Sequence, residues 1–424
     1  DLETVRESHR IKAKGRHVPP PLMDFAHLVL PDVLRENMRI AGFSAPTPVQ
    51  MQALPAALTA RDLVVAAPTG SGKTLAFLLP CVLHAYALSG AFCTRGQPYA
   101  IVIAPTHDLC SQLEVKAQML CRGLPNMRTA LLTGETPLPP QLHRLRRGAA
   151  LAFATPGRLL RVLETLPQDE WPRADIVVLD EVDRLLTSRN GEESIKRILA
   201  QLASVDGGAR DQRIGSTRQI MMLSATRAWR ARRVLKAWLH EAIRIGVGDL
   251  DVVAPDVRQT FIWLENSAKK RQLFRILTDS NRFSSPAVVF VESRLGAEML
   301  ARAVEQRCTG IRTRYVHGET PSTERDAVVR ACQDGSVDVV VATGGLWSRG
   351  IDLTRIRLVI NFDMPNNLNE YVHQVGRAGR LGESGHAITF INKDSKSLFH
   401  ELLEMLREVP SSKLDPLPEQ LRKH

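Results

Sequence analysis

The sequence predicts an α/β chain built from two doubly wound, mostly parallel sheets with helices on both faces. Three observations carry that expectation. Short continuous runs of β-branched and aliphatic residues recur along the chain, as strands buried on both faces require. Longer stretches of helical pattern separate them, which is the alternation of a βαβ fold. The series then occurs a second time, after the glycine-, proline- and aspartate-containing GVGDLDVVAPD at 246–256. With 424 residues, the chain is long enough for two domains that each bury a core.

Residues 1–23 read as an exposed basic arm. Arg6, His9, Arg10, Lys12, Lys14, Arg16 and His17 crowd a weakly apolar stretch that ends in Pro19-Pro20-Pro21. A first domain is expected over 24–247. Its strands are LVVAA (63–67), AIVIA (100–104), ALAFA (150–154), DIVVLD (175–180) and IMMLSA (220–225). Helical patterns at 75–88, 109–120 and 157–166 lie between them, and 89–98 and 204–217 read as surface loops. Residues 248–256 form the expected linker. A second domain over 257–395 has strands AVVFV (287–291), TRYVH (313–317), VDVVVAT (337–343), RLVINF (357–362) and HAITFI (386–391). The remainder, 396–424, reads as an amphipathic helix at 398–406 and a polar, proline-containing tail.

Composition narrows the partners. The formal net charge is +11, and 12 of the 56 basic residues are lysine, so arginine dominates. That excess suits a polyanion such as nucleic acid. The most apolar stretch, 75–88, is interrupted by Pro80 and His84 and is too short to span a bilayer, so no membrane partner is expected. Six cysteines form no CxxC pair, which excludes an intrinsic zinc ribbon and points to a reducing compartment. The chain opens on Asp1 rather than Met, so the true N-terminus is expected to be missing, which leaves room for a cleaved targeting peptide.

The chemistry concentrates in three segments. Ala67-Pro68-Thr69-Gly70-Ser71-Gly72-Lys73-Thr74 follows a strand and opens a helix. Glycines there let successive backbone N–H groups curl round phosphate oxygens. Lys73 supplies charge to the β- and γ-phosphates, and the Thr74 hydroxyl suits Mg²⁺. Val177-Val178-Leu179 runs into Asp180-Glu181-Val182-Asp183, placing Asp180 at a C-terminal strand edge. Asp180 can hold Mg²⁺ through water, and Glu181 can orient or deprotonate the attacking water. In the second half, Arg377 and Arg380 stand three residues apart, where one helical turn would aim both toward a γ-phosphate across an interdomain cleft.

These segments, from about Phe25 to Ile391, resemble the DEAD-box RNA helicases of superfamily 2, with a DEVD variant of motif II. The resemblance implies two RecA-like domains, ATP and Mg²⁺ as cofactors, and RNA as the partner. Phe25 and the run Gly42-Phe43-Ser44-Ala45-Pro46-Thr47-Pro48-Val49-Gln50 match the adenine-reading Q motif, in which Gln50 meets the base edge and Phe43 packs on the base. The family pattern assigns Phe43, Gln50, Thr69, Gly70, Ser71, Gly72, Lys73, Thr74 and Asp352 to nucleotide binding, with Thr74 and Asp180 at the metal. It assigns Lys73, Asp180, Glu181, Arg377 and Arg380 to catalysis. Asp183, Ser224, Thr226 and His373 would couple the sites. Pro105, Thr106, Gly134, Thr155, Pro156, Gly157, Arg158, Arg294 and Thr343 would contact RNA.

Departures from the family pattern bear on the RNA track. Pro105-Thr106-His107-Asp108-Leu109 stands where the family has Pro-Thr-Arg-Glu-Leu, and Gly134-Glu135 stands where it has Gly-Gly. Thr343-Gly344-Gly345-Leu346-Trp347-Ser348-Arg349-Gly350-Ile351-Asp352 lacks the first Asp of motif V and carries one extra residue, and Gln374 replaces the first arginine of motif VI. The expected function is ATP-dependent RNA unwinding or remodelling, on structured RNA, ribosomal RNA above all, during ribonucleoprotein assembly. The alternative is an ATP-gated RNA clamp or assembly factor that unwinds little. The arginine bias suggests the mitochondrial matrix, with cytoplasm or nucleolus as alternatives.

Overall fold

The structure, a computed structural model, describes all residues except 1, 69, 89–97, 173, 188–189, 205–217, 226–236, 249–256, 345–355, 379–383, 408 and 424. The chain divides into two compact units, Asp1–Leu250 and Asp251–His424. Both expected loops, 89–98 and 204–217, and the expected linker lie almost wholly outside the described residues.

The first unit is an eight-stranded sheet in the order β1-β8-β2-β7-β6-β3-β5-β4. The strands are β1 Ile11–Lys14, β2 Leu63–Ala66, β3 Ala100–Ile103, β4 Thr129–Leu132, β5 Leu151–Ala154, β6 Ile176–Leu179, β7 Gln219–Ser224 and β8 Ile243–Val247. All pairings are parallel except β1 with β8. The continuous apolar runs behave as the pattern requires. In β3, Ala100 and Val102 enter one core layer while Ile101 and Ile103 enter the other, all fully buried. Truncating such a side chain to alanine costs about 2–5 kcal/mol.

The second unit is a wholly parallel six-stranded sheet, β11-β12-β10-β13-β14-β9. Its strands are β9 Val257–Trp263, β10 Ala287–Val291, β11 Thr313–Val316, β12 Val339–Thr343, β13 Leu358–Asn361 and β14 Gly385–Ile391. Val288 and Phe290 face one layer; Ala287, Val289 and Val291 face the other. Among the described residues no helix is long and apolar enough to cross a membrane.

Four strands escape the apolar-run pattern: β1, β4, β8 and β9. Three of them alternate polar with apolar residues, as in Ile243-Arg244-Ile245 and Val257-Arg258-Gln259-Thr260. Both β1 and β4 lie at edges of the first sheet and β9 at an edge of the second, where one face or side stays wet.

The basic arm is not an arm. Residues Leu2–Ser8 form a helix and β1 pairs antiparallel with β8, Ile11 opposite Val247. Ile11 turns into the core while Lys12 and Lys14 face solvent. Arg6 donates to Gln52 Oε1 at 3.0 Å and to the Pro19 carbonyl at 3.2 Å, and the Leu22 N–H donates to the Met51 carbonyl at 2.7 Å. Alternation over four residues is enough for a strand when a parallel sheet offers an open edge.

The tail is likewise docked. The helix Phe399–Leu406 buries Phe399, Leu402 and Leu406. Leu414 then bridges to Gln259 on β9, and the Asp415 N–H donates to the Gln259 carbonyl at 2.9 Å. The Asp415 carboxylate accepts from Arg258 and from the Thr260 hydroxyl, and Leu421 is fully buried. The edge of β9 is thus covered by the chain itself.

Candidate nucleotide and nucleic-acid site

Every described first-unit residue assigned chemistry after β2 lies at the C-terminal edge of its sheet, where parallel α/β sheets bind ligands. The glycine-rich loop leaves β2 and enters the helix Lys73–Ala87 through Gly72, at φ +95°, with Gly70 at φ +79°. No side chain caps that helix, so its first amides are left for an incoming anion. Lys73 Nζ donates to the Ala67 and Pro68 carbonyls, the latter at 2.8 Å. The buried Ser71 hydroxyl has no hydrogen-bond partner, an open donor within the loop. Thr69 lies outside the described residues.

The Q-motif residues buttress this loop. Thr47 Oγ1 donates to the Ser71 carbonyl at 2.7 Å, and Gln50 Nε2 donates to the Gly72 carbonyl at 3.0 Å. Gln50 Oε1 accepts from the Thr47 N–H at 3.0 Å. A Cβ added at Gly72 would stand 2.5 Å from Gln50 Nε2 and 2.8 Å from Thr47 Oγ1. Gly72 therefore answers to two constraints, its left-handed φ and this close approach. Gln50 keeps one N–H and one lone pair beyond those bonds. Phe25 is buried in the core and Phe43 packs against the same cluster. Thr47, quoted within the motif without a role, is the residue that sequence reasoning passed over.

Asp180 follows β6, is almost fully buried, and donates its N–H to the Ile103 carbonyl. Burial pushes its carboxyl up to about 7, the nearby Glu181 charge adds to the rise, and Lys73 opposes it. Glu181 holds φ +49°, a left-handed conformation that costs a β-carbon-bearing residue about 1–2 kcal/mol. Its N–H donates to Asp180 Oδ1 at 2.9 Å, its carboxylate lies 3.7 Å from Arg184, and Oε2 has no hydrogen-bond partner. Asp183 contributes further negative charge. Ser224 ends β7 and its carbonyl accepts from the Ala67 N–H at 3.1 Å, joining that strand to the phosphate loop. Thr226 lies outside the described residues.

A second cluster joins three of the RNA-facing segments. Thr106 caps the helix His107–Cys121. His107 Nδ1 lies 2.7 Å from Thr133 Oγ1, and Nε2 lies 3.6 Å from Glu135 Oε2. His107, Asp108 and Glu135 bring their ligand atoms within 4.8 Å of one another. Two of the departures from the family pattern, those at 107–108 and at 135, therefore meet. Arg158 donates to the Thr136 carbonyl at 2.9 Å and the Gly134 carbonyl at 3.3 Å, holding the same turn. Thr155, Pro156 and Gly157 open the adjacent helix Pro156–Thr165, and Pro105 precedes Thr106. A Cβ at Gly134 or Gly157 would meet nothing within 4 Å, so the protein's own packing does not call for glycine there.

In the second unit, Arg294 opens a helix after β10 and pairs with Glu319, and Thr343 ends β12 half-buried. The helix Leu368–Val375 ends before Arg377, which follows in a turn through its N–H to the Gln374 carbonyl. The expectation that one helical turn carries both arginines is thus corrected: Gly376 caps the helix. Arg377 and His373 are buried within the unit. Asn361, fully buried at the end of β13, has no hydrogen-bond partner for either amide atom. Arg380, Asp352 and most of the remodelled motif V lie outside the described residues.

Residues 47–234 match the family model described as DEAD/DEAH box helicase, and 268–382 match Helicase conserved C-terminal domain. The chain is 40% identical over 410 residues to "Probable ATP-dependent RNA helicase DDX59" of Mus musculus, covering 97% of this chain and 63% of that protein. It is 40% identical over 421 residues to "DEAD-box ATP-dependent RNA helicase 41" of Oryza sativa subsp. japonica, covering 99% of this chain and 74% of that one. The chain thus spans less than two thirds of the mouse relative's length. The solved structure of Mss116 bound to ssRNA and UDP-BeF is similar in fold, with a TM-score of 0.80 at 22% identity over 94% of this chain and 81% of that one. Prp28 from Chaetomium thermophilum bound to ADP is 32% identical, with a TM-score of 0.50, over 100% of this chain and 97% of that one.

Proposed function

The chain belongs to the DEAD-box helicase family, and from that premise we propose that it is an ATP-dependent RNA helicase that remodels structured RNA within ribonucleoproteins. The observation that supports this most is the convergence of Lys73, Asp180 and Glu181 at one sheet edge, beside an uncapped helix N-terminus. A triphosphate would bind the loop amides and Lys73. Thr74 and Asp180 would hold Mg²⁺. The fit rests on Asp180, whose buried carboxyl shares its surroundings with Glu181 and Asp183 and is pushed up to about 7, a charge balance that a dication would relieve. Bound Mg²⁺ would supply charge neutralisation at the phosphates. Glu181, whose Oε2 accepts no hydrogen bond and faces Arg184 at 3.7 Å, would orient the attacking water.

Single-stranded RNA would lie along Pro105–Thr106, Gly134 and Thr155–Arg158, gripped through its backbone. The open space at Gly134 and Gly157 supports close approach of a phosphate or sugar. The relatives' printed names extend to "Pre-mRNA-splicing ATP-dependent RNA helicase prp28" of Aspergillus fumigatus, 33% identical, and they favour RNA remodelling without naming ribosomal RNA. A second reading, an RNA clamp with little unwinding, is favoured by the His107–Glu135 pair, which places a carboxylate where RNA phosphates would run.

Glu181→Gln tests the enzyme reading. ATP binding should stay near the parent level while RNA-stimulated hydrolysis falls by about two to four orders of magnitude. Equal turnover in the two proteins would overturn the assignment of Glu181. Duplex separation by the parent chain distinguishes helicase from clamp.

A further inference from the structure

The second unit carries a groove that the nucleotide and RNA residues do not use. It has a volume of about 490 Å³ and runs between the helix Phe399–Leu406 and the docked tail that ends in the helix Glu419–Arg422. Leu403, Leu406, Leu414 and Leu417 form its floor. Arg407 and Arg422 stand on its rim, both exposed. The other rim charges are already matched: Lys423 pairs with Glu419 at 2.6 Å, and His400 lies 3.6 Å from Glu404. Among the described residues, the two guanidinium groups have neither an ion-pair nor a hydrogen-bond partner. An aliphatic floor beneath two open guanidinium groups is the inverse of an amphipathic acidic segment.

We propose that this groove binds a short acidic amphipathic segment of a partner protein, with Leu-type side chains on the leucine floor and carboxylates on Arg407 and Arg422. Each half of the site asks for one half of that chemistry. Guanidinium forks take carboxylates in bidentate geometry, and the partly exposed Leu403, Leu414 and Leu417 offer contact to an apolar side chain. RNA fits less well, because its phosphates would use the two guanidinium groups but leave the leucine floor without an apolar partner, and Glu404 on the rim repels phosphate. A lipid surface fits less well, because the leucines line a concavity instead of a projecting face. The groove lies against the β9 edge, through Leu414, while the second-unit residues assigned chemistry leave β10, β12 and β13. Occupying it would tether the motor to an acidic partner.

The experiment uses the full chain and a fluorescein-labelled synthetic peptide of about 12 residues, with Leu at i, i+4 and i+7 and Glu between them. Fluorescence anisotropy should show saturable binding, and the methyl resonances of Leu403, Leu414 and Leu417 should shift on titration. The combined variant Arg407→Gln, Arg422→Gln, at exposed positions that leave the fold intact, should weaken binding by at least about tenfold. A peptide with Gln for every Glu should lose a comparable factor. A poly-U oligonucleotide and phosphatidylserine vesicles should bind the parent and the variant alike. The proposal is overturned by absence of saturable peptide binding up to about 1 mM, by equal affinity of parent and variant, or by loss of RNA or vesicle binding in the variant instead.

Discussion

At the scale of single residues, the site couples charge to burial. Asp180 holds its proton more tightly folded than unfolded, because burial and the Glu181 charge both disfavour its ionised form. A carboxyl whose folded pKa is raised makes the fold lose stability as pH climbs from its unfolded value near 4 to about 7. Asp180→Asn should therefore stabilise the nucleotide-free chain at pH 8, by about 1–4 kcal/mol, with the gain shrinking toward pH 5. Urea titrations of both proteins across that range check it, and a gain that is independent of pH would contradict the charge argument. Gln50 acts on the phosphate loop as well as on any base. Gln50→Ala removes two hydrogen bonds, to Thr47 and Gly72, worth about 0.5–1.5 kcal/mol each. ATP and GTP affinities should both fall, by about 5- to 100-fold, beyond any narrowing of the gap between them. Calorimetric titration with each nucleotide separates the two effects: a change confined to ATP would show that Gln50 reads only the base.

At the scale of elements, the N-terminal segment is a structural strand whose cations line one sheet edge. Its strand pairs with β8, and Ile11 and Leu22 join the first core cluster. Deleting residues 1–23 should destabilise the first unit by about 3–6 kcal/mol, from two buried aliphatic side chains at 1.5–3 kcal/mol each. The same deletion uncovers the β8 edge and should promote aggregation. Any loss of RNA affinity on deletion must then be read beside a thermal melt. A milder test keeps the fold: Lys12→Gln with Lys14→Gln removes exposed charge alone, and it should lower the salt slope of RNA binding only if the edge contacts phosphates.

At the scale of the whole molecule, two sheets with separate cores sit in one chain. Two-state behaviour is not expected of such an arrangement. Scanning calorimetry should resolve two transitions, and truncation after Pro410 should move only one of them. That truncation removes the Asp415 contacts with Arg258 and Thr260 and the buried Leu421, so the second unit should melt several degrees lower while the first stays in place. A single transition that shifts as a whole would show the units to be thermodynamically coupled.

Local signals were legible wherever they set a local conformation. Continuous apolar runs marked the strands buried on both faces, and the glycine–lysine loop and the acidic pair after β6 declared themselves because strand, turn and helix follow one another in sequence. Alternating patterns at sheet edges were passed over: Ile11-Lys12-Ala13-Lys14 reads as a charged arm until β8 supplies a partner. The same limit applies to the site. His107 and Glu135 each looked like an isolated departure, and only the sheet, which sets the ends of β3 and β4 on either side of β5, brings them within 3.6 Å. Gln50 carried a motif, but its bonds to Thr47 and Gly72 depend on how the helix Pro48–Ala57 packs on the loop. Arg377 followed a helical pattern, and the helix stopped at Val375. Sequence alone determined which chemistries the chain holds, because residue type and short spacing encode them. Tertiary packing decided which groups meet, since hydrogen bonds and charge pairs need atoms a few ångströms apart that the sequence places tens of residues away.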